Sequence, residues 1–144
     1  MITINPYLNF SGVTEKAMIF YKSIFGGEFN IVQKFEDLPG GDKIAKDDQQ
    51  KIMHISLPIG DNYHISASDA LESMGQTLDV GTNFTIEVNT DSEKEADKIF
   101  NALSPGGQIK MAMNKAFWGA YVGMLTDKFG IQWMISFDAT KITS

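Results

Sequence analysis

Two histidines ten positions apart are the side chains in this sequence best suited to chemistry near neutral pH. His54 and His64 both lie in the stretch MHISLPIGDNYHIS, residues 53–66. Imidazole is the commonest side chain for metal ligation and for proton transfer at that pH. Two hypotheses follow: the histidines form the centre of a metal or acid-base site, or they are polar residues on a half-exposed sheet.

The stretch that carries the histidines predicts a β-hairpin, since polar and apolar residues alternate on both sides of the turn signal Gly60-Asp61-Asn62. A three-residue loop pairs His54 with Ser68 on the polar face, whereas a two-residue loop pairs it with Ala67 on the apolar face. The sequence leaves both registers open.

The secondary-structure elements around this hairpin form an internal repeat, since the same pattern occurs twice along the chain. An alternating strand, a helix with an apolar stripe and a Gly-Gly stop occur near the start and recur at an offset of 79 to 80 residues. Three strands end each copy. Ser11 or Thr14 is expected to cap the first helix, and Ser92 with Glu95 forms a capping box at the second.

This repeat predicts an α+β fold of two βαβββ modules, at about 1–69 and 82–138, within a single domain spanning 1–144. We expect helices near 12–25 and 92–104. Residues 70–81 are the predicted linker, and residues 36–50 form a polar connection. One helix per module covers one sheet face, so the other face is left to line a cleft.

Strand alternation assigns side chains to the two faces. Ile4, Leu8 and Phe10 are expected in the first core, and Phe84, Ile86 and Val88 in the second. The open faces are predicted to carry a larger polar set: Asn5, Tyr7 and Asn9; His64, Ser66 and Ser68; Asn83, Thr85 and Glu87; Gln132, Met134 and Ser136.

Composition narrows the possible functions. The chain has 144 residues and no cysteine, which excludes disulfides and thiolate metal sites. Its net charge is −6 with 12 scattered Lys and Arg residues, which argues against nucleic-acid binding. No apolar run approaches the ~20 residues of a membrane span, and no signal peptide is visible, so a cytoplasmic location is expected.

Four segments together resemble the PhnB-like branch of the vicinal oxygen chelate superfamily, which includes glyoxalases, bleomycin-resistance proteins and extradiol dioxygenases. They are PYLNFSG at 6–12, AMIFYKSIFGG at 17–27, MHISLPIGD at 53–61 and FWGAYVGMLTDKFGIQWMIS at 117–136. The resemblance implies paired modules around a cleft and, in the superfamily's enzymes, four metal ligands. Those ligand positions correspond here to Asn5, Ser66, Asn83 and Met134.

The four residues at these positions are poor ligands for a divalent cation, because amides and hydroxyls are neutral and a thioether is soft. We therefore expect no metal and no cofactor. PhnB-like proteins are also labelled by resemblance to a demethylubiquinone methyltransferase, but the sequence has no glycine-rich nucleotide loop after a strand.

The sequence thus favours a protein that binds a small organic ligand without metal. Trp118 and Tyr121, with Met111 and Met113, are candidates for an aromatic, adaptable pocket. The full set of candidate cleft-lining residues is Asn5, Tyr7, His54, His64, Ser66, Asn83, Glu87, Trp118, Tyr121 and Met134.

Two alternatives remain open at this stage. One is a lyase or isomerase with a non-standard site around His64 and Glu87. The other is a structural dimer with no ligand. We also expect a homodimer, because ten Phe, eight Met, four Tyr and two Trp are many large apolar residues for two helices to cover.

Overall fold

The computed structural model describes residues 1–141, which divide into two compact units with a boundary between residues 79 and 80. The boundary falls inside the predicted linker. The first unit contains β1 (Tyr7–Phe10), α1 (Thr14–Phe25), β2 (Ile31–Lys34), a short α2 (Lys46–Gln49), β3 (Ile52–Ile59) and β4 (Tyr63–Asp69). The second contains β5 (Ile86–Asn89), α3 (Glu93–Leu103), β6 (Gln108–Lys115), β7 (Tyr121–Thr126) and β8 (Gln132–Phe137).

Both units have the same sheet topology, so the predicted pair of βαβββ modules is confirmed. The strand orders are β1-β4-β3-β2 and β5-β8-β7-β6. The first strand of each unit runs parallel to the last, and the remaining pairs are antiparallel. Each helix packs on the two central strands of its own sheet, α1 on β3 and β4, and α3 on β7 and β8.

The face of each sheet that meets its helix forms the core of that unit. In the first unit the buried side chains are those that alternation selects, together with Met18 and Tyr21 of the helix. They include Leu8, Phe10, Ile55, Leu57, Ile65 and Ala67. In the second unit Trp133 and Ile135 face Phe100 and Leu103 in the same way. Each such aliphatic or aromatic side chain contributes about 1.5–3 kcal/mol through burial.

The two first strands are shorter than predicted, and this corrects two core assignments. β1 begins at Tyr7 and β5 at Ile86, so Ile4 and Phe84 precede the strands and are 88% and 60% exposed. Alternation in sequence continues beyond the point where a neighbouring strand supplies hydrogen bonds. Periodicity alone therefore overestimates the length of the strand.

The polar connection between β2 and β3 contains more regular structure than its composition indicates. Two 3-10 turns, Phe35–Asp37 and Gly41–Lys43, precede α2. Phe35 and Gly41 are buried, and a Cβ at Gly41 would collide with the backbone of Glu36. Asp48 anchors the segment, because its carboxylate accepts hydrogen bonds from Lys51 Nζ at 2.8 Å and Ser73 Oγ at 2.7 Å.

The helices begin in different ways. At α3 the Ser92 hydroxyl accepts the Glu95 N–H at 3.0 Å, as the capping box predicts, while the Glu95 carboxylate accepts the Asp91 N–H. At α1 neither Ser11 nor Thr14 acts as an N-cap; the position before the helix is Val13, which has no capping side chain. The buried carboxylate of Asp69 performs that role from the end of β4.

Within residues 1–141, no helix combines the length and the apolar composition that a membrane span requires.

Candidate functional site

The register of the β3–β4 hairpin decides which way His54 faces. Ile59 pairs with Tyr63 across a three-residue loop, and Ile55 pairs with Ala67. His54 therefore stands opposite Ser68, on the face of the sheet away from α1. Of the two registers that the sequence permits, the structure has the one that places His54 on the open face.

His54 forms a pair with Tyr7 across this open face. The two rings are stacked with centroids 5.7 Å apart and planes inclined by 19°. The Tyr7 hydroxyl lies 3.2 Å from His54 Nδ1, within hydrogen-bonding distance. Tyr7 stands on β1 and His54 on β3, so the phenol ring must cross β4. The small side chains of Ser66 and Ser68 on β4 leave room for it.

His64 shares the open face but does not join this pair. It lies four residues before Ser68, the cross-strand neighbour of His54, which places the two histidines about 13 Å apart along the strand direction. The backbone N–H of His64 donates to Asn5 Oδ1 at 3.2 Å. The Asn5 amide oxygen is therefore already in use as an acceptor that holds the N-terminal segment against β4.

A cavity of about 510 Å³ opens at the carboxyl ends of β1 and β4, which lie side by side because these strands are parallel. Asn9 and Ser68 contribute side chains from the open face, and residues 76–79 form the opposite wall. Within residues 1–141 no side chain or backbone group hydrogen-bonds to the side chains of Asn9 or Ser68. Their hydrogen-bonding capacity is available to a bound molecule.

The second unit carries Glu87 and Met134 as direct cross-strand neighbours on its open face. Glu87 is exposed, and its carboxylate accepts a long hydrogen bond of 3.4 Å from Asn89 Nδ2. Asn83 is exposed and precedes β5. Glu87 and Met134 therefore lie together in the second unit, as the alternation predicts.

The predicted aromatic pocket of the second unit does not form as expected. Tyr121 lies on the helix side of β7, where its hydroxyl donates to Asp97 Oδ1 of α3 at 2.6 Å. That hydrogen bond raises the pKa of the Tyr121 phenol. Met113 also lies on the helix side, beside Gly123. Trp118 is 62% exposed at the β6–β7 turn, with its ring edge-on to Phe117 at 5.0 Å.

The four positions that would hold the superfamily's metal do not suit a divalent cation. Asn5 offers a neutral amide that is already hydrogen-bonded, Asn83 a second neutral amide, Ser66 a neutral hydroxyl, and Met134 a thioether. Zinc and nickel require imidazole, carboxylate or thiolate donors. Among residues 1–141 there is also no group of three or more histidine, aspartate or glutamate side chains placed to hold a metal ion.

One wall of the cavity has no recognisable signal in the sequence. Gln76 and Asp79 belong to the predicted linker, and nothing in their residue types distinguishes them from an ordinary connection. Asn9 and Ser68 are the lining residues that strand alternation predicts, because it assigns both to the open face. The Tyr7–His54 contact was equally hidden, because it joins strands separated by 47 residues in sequence.

The chain is similar to several known proteins over almost its whole length. A family model described as 3-demethylubiquinone-9 3-methyltransferase matches residues 2–136. Protein YjdN of Escherichia coli (strain K12) is 31% identical over 144 residues, covering 92% of this chain and 93% of YjdN. The crystal structure of protein PA1353 from Pseudomonas aeruginosa has a TM-score of 0.84 at 34% identity, covering 96% of this chain and 98% of PA1353.

More distant structures share the fold alone. A putative 3-demethylubiquinone-9 3-methyltransferase, PhnB protein, from Bacillus cereus has a TM-score of 0.76 at 22% identity, covering 94% of this chain and 99% of that protein. A glyoxalase/bleomycin resistance protein/dioxygenase family enzyme from Burkholderia phytofirmans PsJN has a TM-score of 0.60 at 20% identity, covering 91% and 95%. With a family match over residues 2–136 and a relative 31% identical over 92% of its length, this chain belongs to the family described as 3-demethylubiquinone-9 3-methyltransferase, and its two βαβββ units share the fold of the glyoxalase/bleomycin resistance/dioxygenase family structure.

Proposed function

We propose that this protein binds a small polar organic molecule on the open face of its first unit, without a divalent metal. The observation that carries the proposal is the 510 Å³ cavity lined by Asn9 and Ser68, and Ser68 is the cross-strand neighbour of His54. A cavity of this volume accommodates a small organic ligand. Asn9 and Ser68 line it with unused donors and acceptors, which are the groups that orient a polar ligand.

The methyl transfer named in the family's description is not part of this proposal. A glycine-rich loop that leads from a strand into a helix is a sequence signature of nucleotide-cofactor binding. The β1–α1 connection contains the single glycine Gly12, and the Gly-Gly pairs at 26–27 and 106–107 follow helices. Binding of a small molecule needs no such loop.

A ligand screen with two histidine reporters tests the proposal. The protein is screened by thermal shift against a library of small polar organic molecules, and hits are added to protein observed by NMR at its two imidazole C–H signals. A ligand in the cavity shifts the His54 signal and leaves His64 unmoved, because only His54 adjoins Ser68. The His64→Ala variant assigns the signals and should bind hits unchanged.

Three results would overturn the proposal. The first is that hits leave the His54 signal unmoved. The second is that hits bind a Tyr7→Phe/Ser68→Val variant as tightly as the wild type. The third is that elemental analysis of protein purified without chelator finds stoichiometric zinc, nickel or iron. The folded state of the variant is checked by its thermal unfolding midpoint.

A lyase or isomerase is a second candidate function. For this function the Tyr7–His54 contact is a better candidate site than His64 with Glu87. An imidazole next to a phenol can accept or return a proton at a bound substrate. His64 and Glu87 belong to different units, and His64 lies away from Tyr7. If the screen yields ligands, their turnover is measured with His54→Ala and, as the matched control, His64→Ala; turnover lost only in the first supports an enzyme.

The proposal includes a homodimer and a cytoplasmic location. A second copy is favoured because the edge strands β2 and β6 expose both backbone and apolar side chains, including Ile31, Val32 and Ile109. Absence of cysteine supports the cytoplasm. A dimer that binds none of the screened molecules would instead support the third candidate, a structural role.

A further inference from the structure

Three methionines lie in register across the second sheet. Met134 on β8 pairs with Met124 on β7, and Met124 pairs with Met111 on β6. On its other side Met134 pairs with Glu87. Because directly opposite residues in neighbouring strands share a face, these four side chains form one row on the open face. We call it the thioether row.

The fold does not require methionine at these positions. The corresponding row of the first sheet runs from Tyr7 through Ser66 and Ser56 to Ile31. The same topology is therefore built there without a thioether. Nor do the methionines form a buried core: Met124 and Met134 are half-buried, and Met111 is 36% exposed.

Local distortion of the edge strand brings the third methionine into the row. The register of β6 shifts between Ile109 and Met111 and again between Met111 and Asn114. Such bulges re-aim side chains and are frequent beside functional sites. Between the two shifts, Met111 stands opposite Met124.

We propose that the thioether row binds a soft monovalent metal cation such as Cu(I). Thioether sulfur is a soft donor that prefers Cu(I) to the divalent ions for which the superfamily's ligand positions are unsuited. Opposite side chains have Cβ atoms about 4.5–5.5 Å apart, and the long flexible methionine chain lets neighbouring sulfurs converge on one ion. Glu87 at the end of the row adds a negative charge that favours a cation. The inference is independent of the proposed organic ligand, which lies in the first unit.

The test uses Ag(I) as a redox-inert probe in chloride-free buffer with methionine methyl groups labelled with ¹³C. The chain has eight methionines, few enough for each methyl signal to be resolved and assigned to its residue. One equivalent of Ag(I) is expected to shift the methyl signals of Met111, Met124 and Met134. Met1 and Met74 are more exposed and serve as internal controls for non-specific thioether binding.

Calorimetry with variants completes the test. A triple Met→Leu variant of the row should lose at least about tenfold in Ag(I) affinity, while Met74→Leu is unchanged; the leucines are close to isosteric and preserve folding. Glu87→Gln should weaken binding by roughly two- to fivefold, as expected for an exposed charge. A thioether has no titrating proton, so the affinity is expected to be constant from about pH 5 to pH 8.

Three outcomes would overturn the inference. The first is that the three methyl signals do not move, or move no more than those of Met1 and Met74. The second is that the triple variant binds as tightly as the wild type. The third is binding that weakens toward pH 5 and is abolished by His54→Ala or His64→Ala, because imidazole ligands bind metal only when unprotonated.

Discussion

Asp69 at the end of β4 is a buried hydrogen-bond acceptor. It is 3% exposed, and its carboxylate accepts four hydrogen bonds: from Gly12 N at 2.8 Å, Thr14 N at 3.2 Å, Thr14 Oγ1 at 2.7 Å and Ile52 N at 2.9 Å. One carboxylate thereby joins the end of β4 to the start of α1 and the start of β3.

Asp69→Ala is expected to lower the free energy of unfolding by about 2–4 kcal/mol, because it leaves several buried donors unpaired. Urea unfolding measures this. The exposed Asp42→Ala is the matched control and should stay within about 0.5 kcal/mol of the wild type. Equal stability of the two variants would show that the Asp69 network is not needed.

The Asp48 carboxylate gives the stability a defined pH dependence. The hydrogen bond from Lys51, followed by that from Ser73, holds the pKa of Asp48 below its ordinary value of 3.8. The ionised carboxylate therefore stabilises the fold above the unfolded pKa, and the contribution is lost as pH falls through the lower folded pKa. Asp48→Asn should be less stable than wild type at pH 7 and at pH 5.

The difference between wild type and Asp48→Asn is expected to close as the pH falls below about 3.8. Urea unfolding at a series of pH values measures it, and Asp42→Asn provides a control whose difference stays flat. The partner behaves oppositely at high pH: the same hydrogen bond raises the pKa of Lys51. That contribution is present below the unfolded pKa of 10.5 and is lost as pH rises through the folded one. If the stability difference between wild type and Asp48→Asn persists unchanged below about pH 3.8, the lowered pKa of Asp48 is contradicted.

At the scale of elements, α3 packs on β7 at a position that has no room for a side chain. A Cβ on Gly123 would lie 2.8 Å from Phe100 Cε2 and 2.6 Å from Met113 Sδ. Gly123→Ala is therefore expected to cost about 1–3 kcal/mol through overpacking. Gly81→Ala, whose nearest neighbour would be Asn83 Oδ1 at 4.0 Å, is the control and should be neutral in thermal unfolding. A neutral Gly123→Ala would mean that α3 shifts freely on the sheet.

The helices and strands were predictable to the extent that their signals are local. The Ser92–Glu95 cap was predicted because its partners are three residues apart. The cap of α1 was not, because Asp69 lies 55 residues beyond Thr14. Strand alternation located the open faces for the same reason, whereas the lengths of β1 and β5 depend on hydrogen bonds to β4 and β8.

The candidate site was also predictable only where its signals are local in the sequence. Alternation placed Tyr7, Ser66 and His64 on one face, but the Tyr7–His54 contact and the hairpin register depend on the packing of three strands. The sequence alone assigned no face to Tyr121. The register of β7 places it on the helix side, two residues from Gly123, and there its hydroxyl meets the Asp97 carboxylate of α3. Side chains that meet across the fold leave no periodic signal in the sequence.

At the scale of the whole molecule, the two units have the same topology but present different functional groups on their open faces. The open face of the first presents hydroxyl, phenol and imidazole groups around a polar cavity. The thioether row on the open face of the second presents three thioethers and one carboxylate. The shared strand order fixes most of the positions at which these side chains stand, and the bulges of β6 and the residue types make the two faces differ. A fold of this kind therefore sets positions for function without setting the function itself.

The proposed homodimer is a property of the exposed edges. β6 is the outer strand of its sheet, so one row of its backbone groups has no partner strand in that sheet, and Ile109 on it is 52% exposed. Pairing with a second copy would satisfy the backbone and cover the apolar side chain. Sedimentation equilibrium at micromolar concentration should then give twice the chain mass of 15.9 kDa.

The position of the interface is tested by two isoleucines of nearly equal exposure. Ile109→Lys places a charge on the β6 edge and is expected to shift the equilibrium toward monomer. Ile19→Lys changes a residue that is 54% exposed on α1 and should leave the dimer intact. Because both variants add the same charge to the surface, a difference between them isolates the edge strand. A wild-type mass near 15.9 kDa would exclude the dimer, and dissociation by Ile19→Lys alone would move the interface to the helix.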